Sequence, residues 1–263
     1  MFKAARILFG IMVVSFLIAP LLVILPLGFT DSIFLSYPIP GFSWRWFHEL
    51  FTADAWRRSI INSLIVGSGT TILATVLGTL AALGLRDRLV PFSGFFKTAF
   101  LLPMVVPAVV LGVGMQILFV KLGVAYTYPG VIIAHTVLAI PFVVVNVSAS
   151  LDGIDRRIER AAASLGAPPH VVFQKVTLPL AIPGVLSGAV FAFATSLDEV
   201  VLTLFVAGPN QRTLARQMFS TIRENISPAI ASAAFLFITG TIILALITVY
   251  VRSQTQRSAR RPN

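Results

Sequence analysis

Apolar residues occur in this chain as six long runs parted by short polar stretches. The first extends from Ile7 to Phe29, the second from about Ser59 to Leu85, and the third from about Thr98 to Val120. The fourth covers about Pro129 to Leu151, the fifth about Pro183 to Ala207, and the sixth about Pro228 to Val251. A helix rises about 1.5 Å per residue, so about 20 apolar residues cross the roughly 30 Å hydrocarbon core of a bilayer. The pattern predicts an all-α integral membrane protein with six transmembrane helices. The first run exceeds the roughly 7–15 apolar residues of a signal peptide and reads as an uncleaved helix. Gly67, Gly69, Gly78 and Ala81 in the second run suit close helix contact in lipid. Pro103 and Pro107 predict a kink in the third.

The expected organisation is a short lead (1–6), one transmembrane domain (7–251) and a basic tail (252–263) with the character of a disordered segment. Between the first two runs, residues 30–58 carry Trp44, Trp46, Phe47, Phe51 and Trp56. Such amphipathic aromatics anchor a chain at the bilayer surface, and Trp46 is also a candidate gate residue.

Composition sharpens the class. The hydrophobic fraction of 57% exceeds the roughly 45–50% of soluble domains. With no cysteine, disulfides and thiol chemistry are excluded. The net charge of +10 would suit a nucleic-acid partner, but its distribution follows membrane topology instead. With the N-terminus inside, 13 of the 20 Lys and Arg residues fall on the inner side, among them Arg86, Arg88, Arg156, Arg157, Arg160, Arg252, Arg257, Arg260 and Arg261. The bias puts both termini and the 152–182 loop in the cytoplasm.

No catalytic constellation is present. The chain lacks a GxxxxGK[ST] phosphate loop, an HExxH helix and a GxSxG elbow, so it is expected to be neither an ATPase nor a hydrolase. His48, His135 and His170 fall in three different compartments of this topology and cannot share a metal. His135, within the fourth run, is expected to make interhelical hydrogen bonds rather than carry protons.

The 152–182 loop interrupts the apolar pattern between the fourth and fifth runs. Asp155 can cap a short helix, Gly166 can end it in the left-handed conformation, and Pro168 and Pro169 suit the first turn of a second helix. Ala161-Ala162, Gly166, Val176 and Leu178-Pro179 fit the spacing of the "EAA" loop, so the stretch resembles the cytoplasmic loop of membrane subunits of ATP-binding-cassette importers. The glutamate position of that pattern holds Arg160, with Glu159 one residue earlier. The resemblance implies a type I importer permease fold in a bacterial inner membrane. It also implies an ATP-binding-cassette ATPase dimer as partner, which binds ATP and Mg while this chain binds no cofactor. Glu159, Arg160, Ala161, Ala162, Leu165, Gly166 and Ala167 would then form the ATPase-coupling contact.

Within the fifth run stand Asp198 and Glu199. A carboxylate in mid-membrane costs about 2.5–3.5 kcal/mol on insertion scales and calls for a partner, a wet cavity or a function. Thr195 and Thr203, a turn to either side, would extend a polar strip facing a pathway. An interhelical ion pair is the bland alternative. The segment from Ser196 to Val201, with Pro141-Phe142 and Asn62-Ser63-Leu64, is similar to polyamine (spermidine/putrescine) permeases. That likeness implies a periplasmic binding protein and a second, related permease. It makes Trp46, Ser196, Asp198 and Glu199 candidates for the substrate path, with Thr195 beside them. Pro107 is followed by Ala108 where such permeases often carry an acid, so a singly aminated solute, an amino acid derivative or aminophosphonate, is the alternative. An ATP-independent transporter or channel is the competing class.

Overall fold

The computed structural model describes residues 2–86, 91–224 and 226–259. Arg88, Arg260 and Arg261 of the charge pattern lie outside these residues. The long helices are α1 (Phe2–Leu27), α3 (Asp54–Arg86), α6 (Tyr128–Asp152), α9 (Leu178–Asp198) and α12 (Ala229–Ala259). Shorter ones lie between them: α2 (Arg45–Thr52), α4 (Ser93–Leu101), α5 (Ala108–Lys121), α7 (Arg156–Ser164), α8 (Pro169–Val172), α10 (Val201–Val206) and α11 (Leu214–Glu224). Among the described residues five helical stretches are long and apolar enough to cross a bilayer, or six if the bent pair described next is one span.

Several expectations are corrected in detail. The third run does not form one kinked helix. It breaks into α4 with a 3-10 turn at Leu102–Met104, then α5, at 99° to each other. Pro103 and Pro107 each remove a backbone donor, and Pro107 sits extended before α5 with ψ 130°. The fifth helix starts earlier than Pro183 and stops at Asp198 instead of reaching Ala207. The lead is helical from Phe2, and the tail continues α12 to Ala259 rather than leaving the helix at Val251. In the 30–58 loop Trp46, Phe47 and Trp56 are buried, so three of the five aromatics expected at the bilayer surface pack within the protein, while Trp44 and Phe51 are exposed.

The chain divides into two compact units, residues 1–58 with 217–241, and residues 59–216 with 242–263. In the first, Phe29 stacks on Phe42 at 5.1 Å and meets Phe47 and Phe235 at 4.8 and 5.2 Å. Ser232 donates to the Gly28 carbonyl at 2.7 Å, joining the end of α1 to the start of α12.

The second unit is built on α6 and α9. Lipid tails are as apolar as the side chains, so burial does not drive such a pair; close van der Waals approach through small residues does. Ala139, Val143, Val147, Ala181 and Ala192 form its buried seam, with Ala74 and Ala82 of α3. Gly78 and Gly188 both face Val143, which lets α3 and α9 close on α6 from two directions. Another cluster joins Val66 of α3, Phe119 of α5, Val131 of α6, and Leu202 and Val206 of α10.

Candidate functional site

The polar loop folds as its residue types dictate. The Asp155 carboxylate accepts from Arg157 N at 2.8 Å, capping α7. At the other end Gly166 has φ +87°, and the chain closes with Gly166 N to Ala163 O at 3.0 Å and Ala167 N to Ala162 O at 3.2 Å. This is a Schellman turn, which glycine accommodates without a Cβ clash. After α8, a π-helical turn at Phe173–Thr177 leads directly into α9. The loop is thus one helical elbow continuous with a membrane helix.

A polar contact fixes the elbow to α3. Glu159 Oε1 accepts from Arg86 Nη1 at 2.7 Å and from Thr177 Oγ1 at 2.6 Å, and Arg156 Nη2 donates to the Arg86 carbonyl at 2.7 Å. Arg86 is 7% exposed, so the pair is largely shielded from water. Burial alone would raise the Glu159 carboxyl. The hydrogen bonds from Thr177 and Arg86, with the charges of Arg86 and Arg156, outweigh it and hold the group below its ordinary value. A cavity of ≈ 440 Å³ opens between Arg86, Glu159, Ala163 and Phe173. Arg86 and Thr177 are partners that sequence reasoning missed, because they lie 73 and 18 residues from Glu159 and belong to other elements.

The sign of the pH dependence follows. A carboxyl held below its unfolded value stabilises the folded state fully at neutral pH, and the contribution disappears as pH falls through and below the carboxylate range. Protection of the α7 amides, corrected for the intrinsic slowing of exchange at lower pH, is therefore expected to fall on acidification in the wild type. In Glu159→Gln, protection should be lower at neutral pH and nearly flat with pH. Equal pH profiles in the two proteins would remove Glu159 as the linking group.

Around the membrane acids the geometry departs from a continuous polar strip. The helix is interrupted at Glu199, which is extended with ψ 109°, and restarts as α10. Glu199 Oε1 accepts from Leu202 N at 2.7 Å and so caps the new helix. Asp198 is exposed at the last position of α9, while Thr195 and Glu199 are partly buried. Among the described residues neither acid forms an ion pair. Ser196 and Thr203 point elsewhere, to His135 of α6. Its Nδ1 lies 2.9 Å from Ser196 Oγ and its Nε2 2.9 Å from Thr203 Oγ1. Thr203 spends its only hydrogen on the Glu199 carbonyl at 2.9 Å, so Nε2 must donate to it. In the neutral ring Nδ1 then accepts from Ser196. His135 is 1% exposed and makes the interhelical bonds expected of it.

The outer end of the same unit is tied by groups that composition did not single out. Asn62 Nδ2 donates to the Asn210 and Arg212 carbonyls, both at 2.9 Å, and Asn62 Oδ1 accepts from Tyr128 at 2.7 Å. Ser63 Oγ accepts from Leu214 N at 2.7 Å. Arg216 Nη1 donates to Thr203 O and Ala207 O, placing a cation at the carbonyl end of α10. Trp46 belongs to the other unit, where it is buried with its indole N–H unpaired and the Arg45 guanidinium 4.9 Å above its ring.

A helical elbow continuous with a membrane helix, beside a bundle with an internal break, has counterparts among known proteins. Residues 74–262 match the family described as binding-protein-dependent transport system inner membrane component. The chain belongs to that family. This permease is 34% identical over 255 residues to the putrescine transport system permease protein PotI of Escherichia coli (strain K12), covering 94% of this chain and 90% of the relative. It is 30% identical over 241 residues to the spermidine/putrescine transport system permease protein PotC of Haemophilus influenzae (strain ATCC 51907 / DSM 11121 / KW20 / Rd), with 91% and 93% covered. A solved bacterial ABC transporter involved in the import of the acidic polysaccharide alginate matches 97% of this chain and 95% of its own at TM-score 0.71 and 16% identity. The fold is that of a type I ABC importer permease, and the protein is a multi-pass inner-membrane transport subunit.

Proposed function

We propose that this permease forms half of the translocation path for a polyamine of the spermidine/putrescine kind, delivered by a periplasmic binding protein. The observation that carries the reading is the pair of adjacent carboxylates at a break in a membrane helix, with no internal cation paired to either among the described residues. A polycation is the complementary ligand. The names of the relatives support the same substrate class over a singly aminated solute.

Asp198 and Glu199 supply the charge in this reading. Thr195 lies one turn before Asp198, Ser196 acts indirectly through His135, and Trp46 serves as a gate. A second, related permease completes the path. Both termini face the cytoplasm, where an ATPase dimer binds ATP and Mg and hydrolyses the nucleotide. The elbow 155–169 docks on that dimer, and its continuity with α9 passes ATPase closure to the membrane helices.

The test is ATP hydrolysis by the complex purified in lipid with its binding protein, against a panel of polyamines and monoamines. Spermidine or putrescine is expected to stimulate hydrolysis several-fold over the basal rate. Stimulation by monoamines or zwitterions alone would move the substrate to the aminated alternative. A complex without any ATPase would overturn the importer reading.

A further inference from the structure

The residues of α7 separate into two faces. Arg156, Glu159 and Ala163, at the i, i+3, i+7 spacing of one helix side, turn toward α3: Arg156 reaches the Arg86 carbonyl, Glu159 its guanidinium, and Ala163 lines the cavity beside them. Arg157, Arg160 and Ser164, at the same spacing one position on, lie about 100° round the helix from that side and are exposed. The charge of Glu159 is therefore neutralised inside the protein, while the outward face carries two arginines. Asp155, the nearest acid in sequence, is engaged as the helix cap. Next to this face Leu165 leaves 89% of its surface open, and Ile158 leaves 49%. An apolar knob rimmed by cations calls for a pocket with the inverse chemistry.

Resting on the reading of the elbow as the ATPase contact, we infer that Arg157 and Arg160 dock around Leu165 into an ATPase cleft whose rim is acidic, and that Glu159 takes no part in that contact. Glu159 is a positioning residue. It sets the angle of α7 by holding it to the end of α3 through Arg86 and to the start of α9 through Thr177. The docking charge carried by this chain is thus positive, and the ATPase subunit must supply carboxylates where α7 enters. At an exposed rim such pairs weaken with salt, because charges more than about 8 Å apart are screened at physiological ionic strength.

The experiment measures the affinity of the ATPase subunit for the permease in nanodiscs of zwitterionic lipid, across a salt series. Wild-type association is expected to weaken as salt rises. In R157E/R160E it should fall by roughly tenfold or more and then strengthen with salt, since the rim would repel an acidic helix. Arg160→Gln should lie between the two. Replacing a rim carboxylate of the ATPase with arginine should restore binding to R157E/R160E, an outcome that misfolding cannot produce. Glu159→Gln should keep the ATPase bound within about twofold while substrate-stimulated hydrolysis drops. Release of the ATPase by Glu159→Gln, or its full retention by R157E/R160E, overturns the inference. Full retention together with a loss of affinity for anionic vesicles would make the arginine face a lipid anchor instead. If the wild-type chain binds no ATPase at all, the importer reading fails first, which separates the two claims.

Discussion

Gly188→Leu is expected to prevent assembly of the α6–α9 pair rather than tune its packing. A Cβ built at Gly188 stands 2.9 Å from the Val143 Cα and 3.2 Å from its Cγ1. A side-chain neighbour could rotate away; a backbone atom in the middle of a helix cannot. On the other side of Val143, a Cβ at Gly78 would stand 2.7 Å from the valine Cβ, so α6 has no room to retreat toward α3. Overpacking a core typically costs about 1–3 kcal/mol, and this position belongs at or above the upper end. The measurement is the melting transition of the purified permease in detergent, with Gly114→Leu as the control, because nothing lies within 4 Å of a Cβ there. Gly114→Leu should melt near the wild type, whereas Gly188→Leu should be recovered poorly or melt well below it. Matching melts for the two variants would show that α6 and α9 are not locked at Val143.

The second large effect is on transport. D198N/E199Q removes both negative charges while keeping shape, and a glutamine oxygen can still accept from Leu202 N, so α10 keeps its cap. Stability should change little. A hydrogen bond to a charged group contributes about 1.5–3 kcal/mol, so losing such contacts with a cationic solute should cut uptake roughly tenfold to hundredfold. Asp198→Asn alone should account for much of the loss, as Asp198 is the exposed acid of the two. Uptake in membrane vesicles, compared at equal amounts of folded permease, gives the answer. Undiminished uptake by the double variant would remove the acids from the path.

What the sequence conveyed depended on the range of the forces involved. Gly166 was legible because a positive φ is a local requirement that one residue type satisfies, and the Schellman turn stands where the glycine predicts it. Asp155 was legible for the same reason, since a cap reaches only to its own helix. The long spans were legible because hydrocarbon thickness sets their length. The break at Glu199 was not: Asp198-Glu199-Val200-Val201 contains neither proline nor glycine, and the interruption is held by His135 from another helix and by the Glu199 side chain turned back on its own chain. Glu159 shows the same limit. Its residue type pointed outward to a docking partner, and only the fold brings Arg86 beside it. The prolines of the third run announced a bend, but proline chemistry alone does not set an angle of 99°.

His135 grips the polypeptide on both sides of that break, through Ser196 before it and Thr203 after it. One ring bonded to both flanks turns an interrupted helix into a welded elbow rather than a swivel. The bearing of Asp198 and Glu199 is then inherited from α6, however the rest of the bundle shifts. A solute crossing the membrane would meet carboxylates at constant separation at every stage of its passage. In the proposed path, access to the acids would alternate while the spacing that reads the solute stays fixed.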